Sequence, residues 1–215
     1  MNLEQVGSFM LKHRRPELMT APRLMLLLHG WTGDENSMLV FSSKLPNNAW
    51  LVAPRGTHPS PQGGYSWYPP MARAVWPNLD TFRPAVSALL DILMPEYFPG
   101  GILDQVDLVG FSQGAALAYA FALLHPGRVR AVAGMAGFLP NGVATFLGNE
   151  KPLAGIPIFV THGSQDSIVP VELARRGVEF LQQAGADVTY CEDEVGHKLS
   201  ADCFTGLETF WRQLS

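Results

Sequence analysis

Residues 106–116 read VDLVGFSQGAA and join three local patterns. A mostly apolar run leads into a serine between Gly110 and Gly114, and a run rich in alanine follows. The pattern G-x-S-x-G is typical of the nucleophile elbow, where a sharp turn between a strand and a helix exposes a serine hydroxyl. Side chains at the two glycine positions would collide with neighbouring elements in so tight a turn. The stretch therefore predicts a buried strand, a strained turn at Ser112 and a helix.

The five-residue pattern alone is weak, because chance yields roughly 0.1 matches in a chain of this length and composition. A Gly-Ser turn that merely closes a strand–helix unit is the alternative interpretation. The apolar run before the serine and the alanine-rich run after it favour the nucleophile elbow.

Other apolar runs, rich in Val, Ile and Leu without alternation, are typical of parallel strands covered on both faces. Helical patterns separate them, which predicts right-handed crossovers and a mostly parallel sheet with helices on both faces, an α/β fold. The predicted strands are 23–29, 50–54, 105–110, 129–135, 156–163 and 187–192, and the predicted helices are 35–44, 80–94, 113–125, 171–184 and 200–213.

Length and charge limit the possible partners. With 215 residues, 47% of them hydrophobic and 16% charged, the chain is expected to form one domain, 1–215, with a large core. The net charge of -4 argues against a nucleic-acid partner. No apolar run is long enough for a transmembrane segment, and the first residues lack the features of a signal peptide.

Cys191 and Cys203 are the only cysteines. They are able to pair in principle, but two cysteines are too few for a disulfide framework or a cysteine-based zinc site. We predict reduced thiols and a cytoplasmic location. The histidines do not follow a ligand pattern such as H-E-x-x-H, and no G-x-G-x-x-G follows a strand, so we expect no metal and no organic cofactor.

A nucleophilic serine needs a base to take its proton and a carboxylate to orient that base. In this architecture the acid and the histidine follow the serine in that order, each after a later strand. Asp166 follows the run IPIFV in THGSQDSIVP, and His197 follows DVTYC in EDEVGHKLS. Asp193 and Glu194 are alternative acids, but they lie too near the histidine in sequence to occupy a separate strand end.

The anionic intermediate of acyl transfer also needs two N–H donors. The residue after the serine supplies one, which predicts the backbone N–H of Gln113. The second is expected from the loop after an earlier strand, in HGWTGDENS at 29–37, where the N–H of Trp31 is the best candidate. The long aromatic loop at 54–79 and the segment after residue 135 are expected to line the substrate pocket. The predicted pocket residues are Trp31, Tyr65, Trp67, Phe138 and Leu139.

Six motifs occur in the order and spacing of the phospholipase/carboxylesterase family: LHGWTGDENS, APRG, GFSQGA, AGFLP, HGSQDSIVP and GHKLS. From about residue 24 onward the chain resembles this α/β-hydrolase group, which contains acyl-protein thioesterases and small bacterial carboxylesterases. The resemblance implies the α/β-hydrolase fold. It also implies that Ser112 is the nucleophile, Asp166 the orienting acid and His197 the base, with Trp31 and Gln113 as oxyanion donors.

Two departures bear on the substrate. The thioesterases of the family usually carry leucine where this chain has Trp31, and the segment GGYSWYPP looks closer to the bacterial esterases. Because little chain is left for a large lid, a minimal lid and short- to medium-chain esters are expected.

The predicted activity is hydrolysis of a small-molecule ester or thioester through an acyl-Ser112 intermediate. The alternative enzymes are an acyl-protein thioesterase, a lysophospholipase, and an acyl or peracid transferase that uses the same three residues. The alternative from another class is a receptor that keeps the fold but does not turn its ligand over. Exposed aromatic residues near the pocket are compatible with a homodimer.

Overall fold

A computed structural model describes residues 2–17, 21–71, 76–146 and 151–214. Short 3-10 helices cover Ser37–Lys44, Pro126–Arg128 and Val143–Phe146. In chain order the other elements are β1 (Asn2–Val6), β2 (Phe9–Arg14), β3 (Arg23–Leu28), β4 (Trp50–Pro54), β5 (His58–Pro59), β6 (Tyr65–Ser66), α1 (Leu79–Asp91), β7 (Ile102–Phe111), α2 (Gln113–Leu124), β8 (Val129–Met135), β9 (Pro157–Gly163), α3 (Val171–Gln183), β10 (Asp187–Asp193) and α4 (Ala201–Gln213).

Eight strands form one sheet in the order β1-β2-β4-β3-β7-β8-β9-β10. The neighbouring pairs from β4 to β10 are parallel, whereas β1–β2 and β2–β4 are antiparallel. The predicted mostly parallel sheet is confirmed, and its topology is that of the α/β-hydrolase fold. Ser112, Asp166 and His197 follow β7, β9 and β10, so the three lie at the carboxyl ends of the strands, where open α/β sheets bind ligands.

The sheet separates two apolar cores, because successive side chains of a strand point to opposite faces. In β3, Leu26 packs into the core beneath α1, α2 and α3. Its neighbours Met25 and Leu27 pack into the core beneath α4 and the 3-10 helix Ser37–Lys44. Both faces are therefore covered, which explains why the central strands read as continuous apolar runs.

Three elements differ from the sequence-based expectation. The predicted helix at 35–44 is a 3-10 helix, and its first turn follows Asp34, whose carboxylate accepts hydrogen bonds from the N–H groups of Asn36 and Ser37. The hairpin β1–β2 was not predicted. Within the loop 54–79, β5 and β6 form a small antiparallel hairpin, and residues 72–75 of that loop lie outside the described ranges.

The prediction of reduced thiols is wrong, because Cys191 and Cys203 form a disulfide with Cα atoms 5.7 Å apart. The chain turns back after β10, and α4 packs its Cys203 against that strand, a proximity that a spacing of 12 residues does not reveal. His197 lies midway along the loop that the bond closes. Since disulfides are rare in reducing compartments, the bond also removes one of the two reasons for expecting a cytoplasmic location.

We expect removal of this disulfide to lower the free energy of unfolding by about 3 kcal/mol, since closing a loop of this length reduces the entropy of the unfolded chain by that order. Urea denaturation of Cys191→Ser/Cys203→Ser beside the native protein would measure the difference. Dithiothreitol serves as the matched control, because it should destabilise the native protein and leave the double variant unchanged. A native protein insensitive to the reductant would contradict the expectation.

Within the described ranges no helix combines the length and apolar character needed to cross a bilayer.

Candidate active site

Ser112 lies in a strained turn between β7 and α2. Its φ of 54° and ψ of -115° are rare for a residue with a side chain, and such conformations cost of order 1–3 kcal/mol. A Cβ atom at Gly110 would collide with the carbonyl group of Gly114, and one at Gly114 with the carbonyl group of Leu28. The N–H of Ser112 donates to the Met135 carbonyl at 2.8 Å, which ties the turn to β8. The predicted strand, turn and helix are confirmed.

Backbone strain concentrates at one edge of the sheet. In the part of the chain that the structure describes, three residues other than glycine have a positive φ: Thr32 at 66°, Ser112 at 54° and Ala136 at 48°. They follow β3, β7 and β8, which are neighbours in the sheet. Strain of this kind is maintained where the surroundings hold a loop in one conformation, typically at functional sites.

The two predicted oxyanion donors lie beside the serine. Gln113 is the first residue of α2, where helical N–H groups point away from the helix and favour negative charge. Among the described residues, neither its N–H nor that of Trp31 donates to a backbone carbonyl. A Cβ atom built at Gly30 would lie 3.3 Å from the Cβ of Ser112, so the loop that carries Trp31 touches the serine.

His197 and Asp166 are joined by a hydrogen bond of 2.6 Å from Nδ1 of the imidazole to Oδ2 of the carboxylate. Because an ionised carboxylate only accepts, the neutral imidazole carries its hydrogen on Nδ1 and leaves Nε2 free to take a proton. The rings of His197 and Phe111 meet edge to face with centroids 5.0 Å apart. Since Phe111 precedes Ser112, the imidazole lies against the strand end that carries the serine.

The carboxylate of Asp166 is buried, but it accepts several hydrogen bonds from the protein. Its Oδ1 accepts the N–H groups of Ile168 at 2.8 Å and Val169 at 2.9 Å. Burial alone would raise the pKa of Asp166, but the hydrogen bonds from Val169, His197 and Ile168 outweigh it and hold the pKa below its usual range. Asp166 is therefore ionised at neutral pH, as an acceptor for Nδ1–H requires.

Backbone hydrogen bonds join the loop after β9 to the loop after β10, and this contact brings Asp166 and His197 together. The N–H of Ser164 donates to the Asp193 carbonyl at 2.8 Å, and the N–H of Gln165 to the Val195 carbonyl at 3.0 Å. A Cβ atom at Gly163 would collide with the carbonyl oxygens of residues 195 and 196, so only glycine permits the close approach. The loop after β9 thus positions the loop after β10.

The alternative acids are placed elsewhere. Asp193 accepts a hydrogen bond from the N–H of Glu194 at 2.8 Å, and the Glu194 side chain is exposed. Hydrogen bonds from Ser200 and the Glu194 N–H lower the pKa of Asp193. Among the described carboxylates, Asp166 is the one bonded to the imidazole of His197.

The side chain of Gln113 belongs to a network that the sequence did not indicate. Its Nε2 donates to Oγ of Ser66 at 2.9 Å, and its Oε1 accepts the N–H of Trp67 at 3.1 Å. The indole of Trp67 donates to the His29 carbonyl at 2.8 Å. The nucleophile turn, the β6 hairpin and the end of β3 are therefore held in one arrangement.

His29 extends the network as a neutral imidazole. Its Nε2 accepts the N–H of Gly56 at 2.8 Å, which places the hydrogen on Nδ1, 2.7 Å from the Gly30 carbonyl. Burial lowers the pKa of His29 and so favours this neutral form. The imidazole fixes the peptide that precedes Trp31.

A partly buried ion pair stabilises the same loop. Arg55 binds Glu35 through two hydrogen bonds, from Nε at 2.6 Å and from Nη2 at 2.9 Å, and its guanidinium lies 4.7 Å from the ring centre of Tyr65. The hydrogen bonds from Arg55 lower the pKa of Glu35. This fork geometry, together with the aromatic contact, suits arginine and not lysine.

A cavity of about 420 Å³ opens beside the serine turn, within the range of small-molecule sites. Its lining consists of Gly30, Trp31, Thr32, Gly33, Ser37, Met38, Val40, Phe41, Phe111, Lys198 and Leu199. A second cavity of about 440 Å³, lined by residues such as Gln105 and Arg130, lies at the amino ends of the strands and away from Ser112. The cavity beside the serine is therefore the candidate substrate site.

The five predicted pocket residues have different surroundings, and Trp31 is the one found in the described lining of that cavity. Tyr65 contacts Arg55, and Trp67 is 1% exposed and packs on His29 with ring centres 4.7 Å apart. Phe138 is buried against Trp76, and Leu139 packs against the main core.

Comparisons with known proteins agree with the fold. The sequence matches the phospholipase/carboxylesterase family over residues 17–215, and the chain belongs to that family. The crystal structure of the Bacillus cereus carboxylesterase has a TM-score of 0.82 over 96% of this chain and 95% of that one, at 18% identity, which shows the α/β-hydrolase fold.

Two of the proteins with similar sequences come from plants. Carboxylesterase SOBER1 of Arabidopsis thaliana is 28% identical over 194 residues, covering 84% of this chain and 85% of its own. A protein of Oryza sativa subsp. japonica named "Probable inactive carboxylesterase Os04g0669700" is 30% identical over 116 residues, 54% of this chain and 47% of its own. The chain spans about half the length of several relatives that it matches, with coverage of 46 to 48%.

Proposed function

We propose that this protein hydrolyses short- to medium-chain carboxylic esters through a covalent acyl-Ser112 intermediate. The observation that carries the proposal is the 2.6 Å hydrogen bond between His197 and Asp166, made where the imidazole packs against the residue before a strained serine. A base oriented by a carboxylate beside a serine on a nucleophile elbow is the arrangement that acyl transfer requires.

In the first half of the reaction, Oγ of Ser112 attacks the ester carbonyl carbon while Nε2 of His197 takes the hydroxyl proton. The carbonyl oxygen becomes an oxyanion and accepts the N–H groups of Trp31 and Gln113. When the tetrahedral intermediate collapses, the C–O bond to the alcohol breaks and the imidazolium protonates the leaving oxygen. Asp166 stabilises the imidazolium and keeps its hydrogen on Nδ1.

In the second half, water takes the place of the alcohol. Nε2 of His197 accepts a proton from the water as its oxygen attacks the acyl carbon. The bond between the acyl carbon and Oγ of Ser112 then breaks, and the imidazolium returns that proton to Oγ. The products are the carboxylic acid and the free enzyme. No step requires a metal or an organic cofactor.

A p-nitrophenyl ester series from acetate to decanoate tests the proposal, with multiple-turnover release of p-nitrophenol expected and shorter chains favoured. Matching acyl thioesters and a lysophospholipid, run beside the series, distinguish an esterase from an acyl-protein thioesterase or a lysophospholipase. An organophosphonate should label Ser112, since it mimics the tetrahedral intermediate. An adduct located on another residue by mass spectrometry would refute the nucleophile.

A receptor that binds its ligand without turnover is the second candidate, and the rice relative named as inactive favours it. The two differ in the stoichiometry of product. An esterase releases many equivalents of p-nitrophenol, whereas a receptor stops at about one.

A single domain over 1–215, a homodimer and a cytoplasmic location stay predictions. Sedimentation of the purified protein would measure the oligomeric state, and free-thiol titration of protein extracted under acid quench would report whether the disulfide forms in the cell.

A further inference from the structure

The cavity beside Ser112 has an apolar body and one charged residue in its lining. Its apolar lining residues are Trp31, Met38, Val40, Phe41, Phe111 and Leu199. Lys198 is the only charged residue among those that line it in the described structure. A single cation in a largely apolar and otherwise uncharged lining favours a ligand that combines an apolar spacer with an anion.

Five Lys and Arg side chains of the described residues form ion pairs, and Lys198 is not among them. Lys44 binds Glu208 at 2.7 Å, and Arg55 binds Glu35 at 2.6 Å. Across the described part of the chain, Lys198 takes part in no ion pair. Its ammonium is therefore available to a ligand.

Acids near the cavity are already engaged. Glu35 is held by the guanidinium of Arg55. The carboxylate of Asp34 accepts hydrogen bonds from Asn36 and Ser37. Arg55 compensates the charge of Glu35, whereas the donors to Asp34 are neutral and leave its charge in place. Lys198 is the cation that an anion in this cavity meets.

Lys198 lies close to the residues that are proposed to act on the ester bond. It follows His197 directly in sequence, and a Cβ atom at Gly30, another lining residue, would lie 3.3 Å from the Cβ of Ser112. A substrate portion that starts at Ser112 and fills the cavity passes Phe111. Lys198 is the charge that this portion meets.

We propose that the substrate is an ester with a carboxylate or similar anion on the portion that enters this cavity, bound by Lys198. The inference rests on the proposed ester hydrolysis and names the substrate class of the same site. The anion lies on either the acyl or the alcohol portion, and the experiment separates the two.

Two matched substrate pairs isolate the charge, because an isopropyl group has nearly the shape of a carboxylate. On the acyl side, p-nitrophenyl hemiadipate is compared with p-nitrophenyl 6-methylheptanoate. On the alcohol side, 4-butyryloxybenzoate is compared with 4-isopropylphenyl butyrate. The measured quantity is the ratio of kcat/KM for the anionic ester to that for the neutral ester in each pair.

We expect Lys198→Met to lower this ratio by about 3- to 10-fold in one of the two pairs, chiefly through KM, which corresponds to a partly exposed charge pair. Lys198→Arg should restore most of the ratio. Lys151→Met is the matched control, since it removes the same charge from an exposed site that does not line this cavity.

The dependence of this kcat/KM ratio on ionic strength is a second test, because a purely structural role of Lys198 would not make the ratio depend on salt. Raising salt from about 0.01 to 0.5 M shortens the screening length from roughly 30 Å to less than 10 Å. The ratio of the native protein should fall with salt, and that of Lys198→Met should not.

Ratios unaffected by Lys198→Met in both pairs, or ratios insensitive to salt, would overturn the anion assignment while leaving ester hydrolysis intact. Failure of the native protein to turn over any of the four esters would instead refute the proposed function.

Discussion

Ser112→Ala should abolish ester hydrolysis, with kcat for p-nitrophenyl butyrate lowered by at least about 10⁴-fold. Loss of the corresponding serine in a serine protease costs about 2 × 10⁶, and the remaining rate comes from binding and oxyanion donors. Steady-state release of p-nitrophenol, with an active-site titration of the native protein, measures the loss. Ser43→Ala, at an exposed serine of the 3-10 helix Ser37–Lys44, is the matched control and should keep full activity.

The same position separates catalysis from stability. Alanine keeps the Cβ atom, so Ser112→Ala retains the strain of a φ of 54° and should unfold at nearly the native denaturant concentration. Ser112→Gly removes the strain of order 1–3 kcal/mol, less about 0.5–1 kcal/mol for the greater freedom of glycine in the unfolded chain. We therefore expect the glycine variant to be inactive yet more stable by about 1 kcal/mol. Turnover by either variant at a native rate would contradict the nucleophile assignment.

The candidate site was predictable where its determinants are local. The two glycines around Ser112 encode a steric requirement within five residues. A side chain at Gly110 or Gly114 would collide with a backbone carbonyl group, so no larger residue fits. Asp166 and His197 were predictable because each follows an apolar run, and parallel strands bring their carboxyl ends to one edge.

Features that depend on distant contacts were not predictable in the same way. Gln113 reaches Ser66 and Trp67 across 46 to 47 residues, and no periodicity in the loop 54–79 signals that contact. An aromatic residue in a loop has the same sequence signature whether it lines a pocket or, like Trp67, fills a core. The disulfide likewise depends on how α4 packs on β10.

The sequence of the hairpin β1–β2 contains a typical turn signal. Val6 and Phe9 are buried and flank Gly7-Ser8, a two-residue turn in which Gly7 adopts a φ of 55°. Gly-Ser between two short alternating runs is typical of a hairpin. Apolar and polar residues alternate only weakly in the strands of this hairpin. They are therefore a weaker signal for strands than the continuous apolar runs of the central strands.

Asp166→Asn should lower kcat by about 10⁴-fold, as in the protease precedent, while the fold is retained. The amide oxygen still accepts the N–H groups of Ile168 and Val169, so Nδ2 of the amide faces His197 and donates to it. The imidazole hydrogen then moves to Nε2, and the base no longer accepts the proton of Ser112.

The dependence of the unfolding free energy on pH in the acidic range gives a second measurement for this variant. Since the pKa of Asp166 is lower in the folded state, its ionisation stabilises the fold above the unfolded pKa of about 3.9, and that stability is lost as pH falls through the folded value. Asp166→Asn should therefore show a shallower loss of unfolding free energy below about pH 4. Asp193→Asn is the matched control and should lower kcat only a few-fold, because Asp193 does not contact the imidazole in the described structure. The opposite result, a 10⁴-fold loss in Asp193→Asn and only a few-fold loss in Asp166→Asn, would contradict the assignment. The carboxylate that orients His197 during turnover would then be Asp193. The loop after β10 would have to rearrange to bring Asp193 to the imidazole.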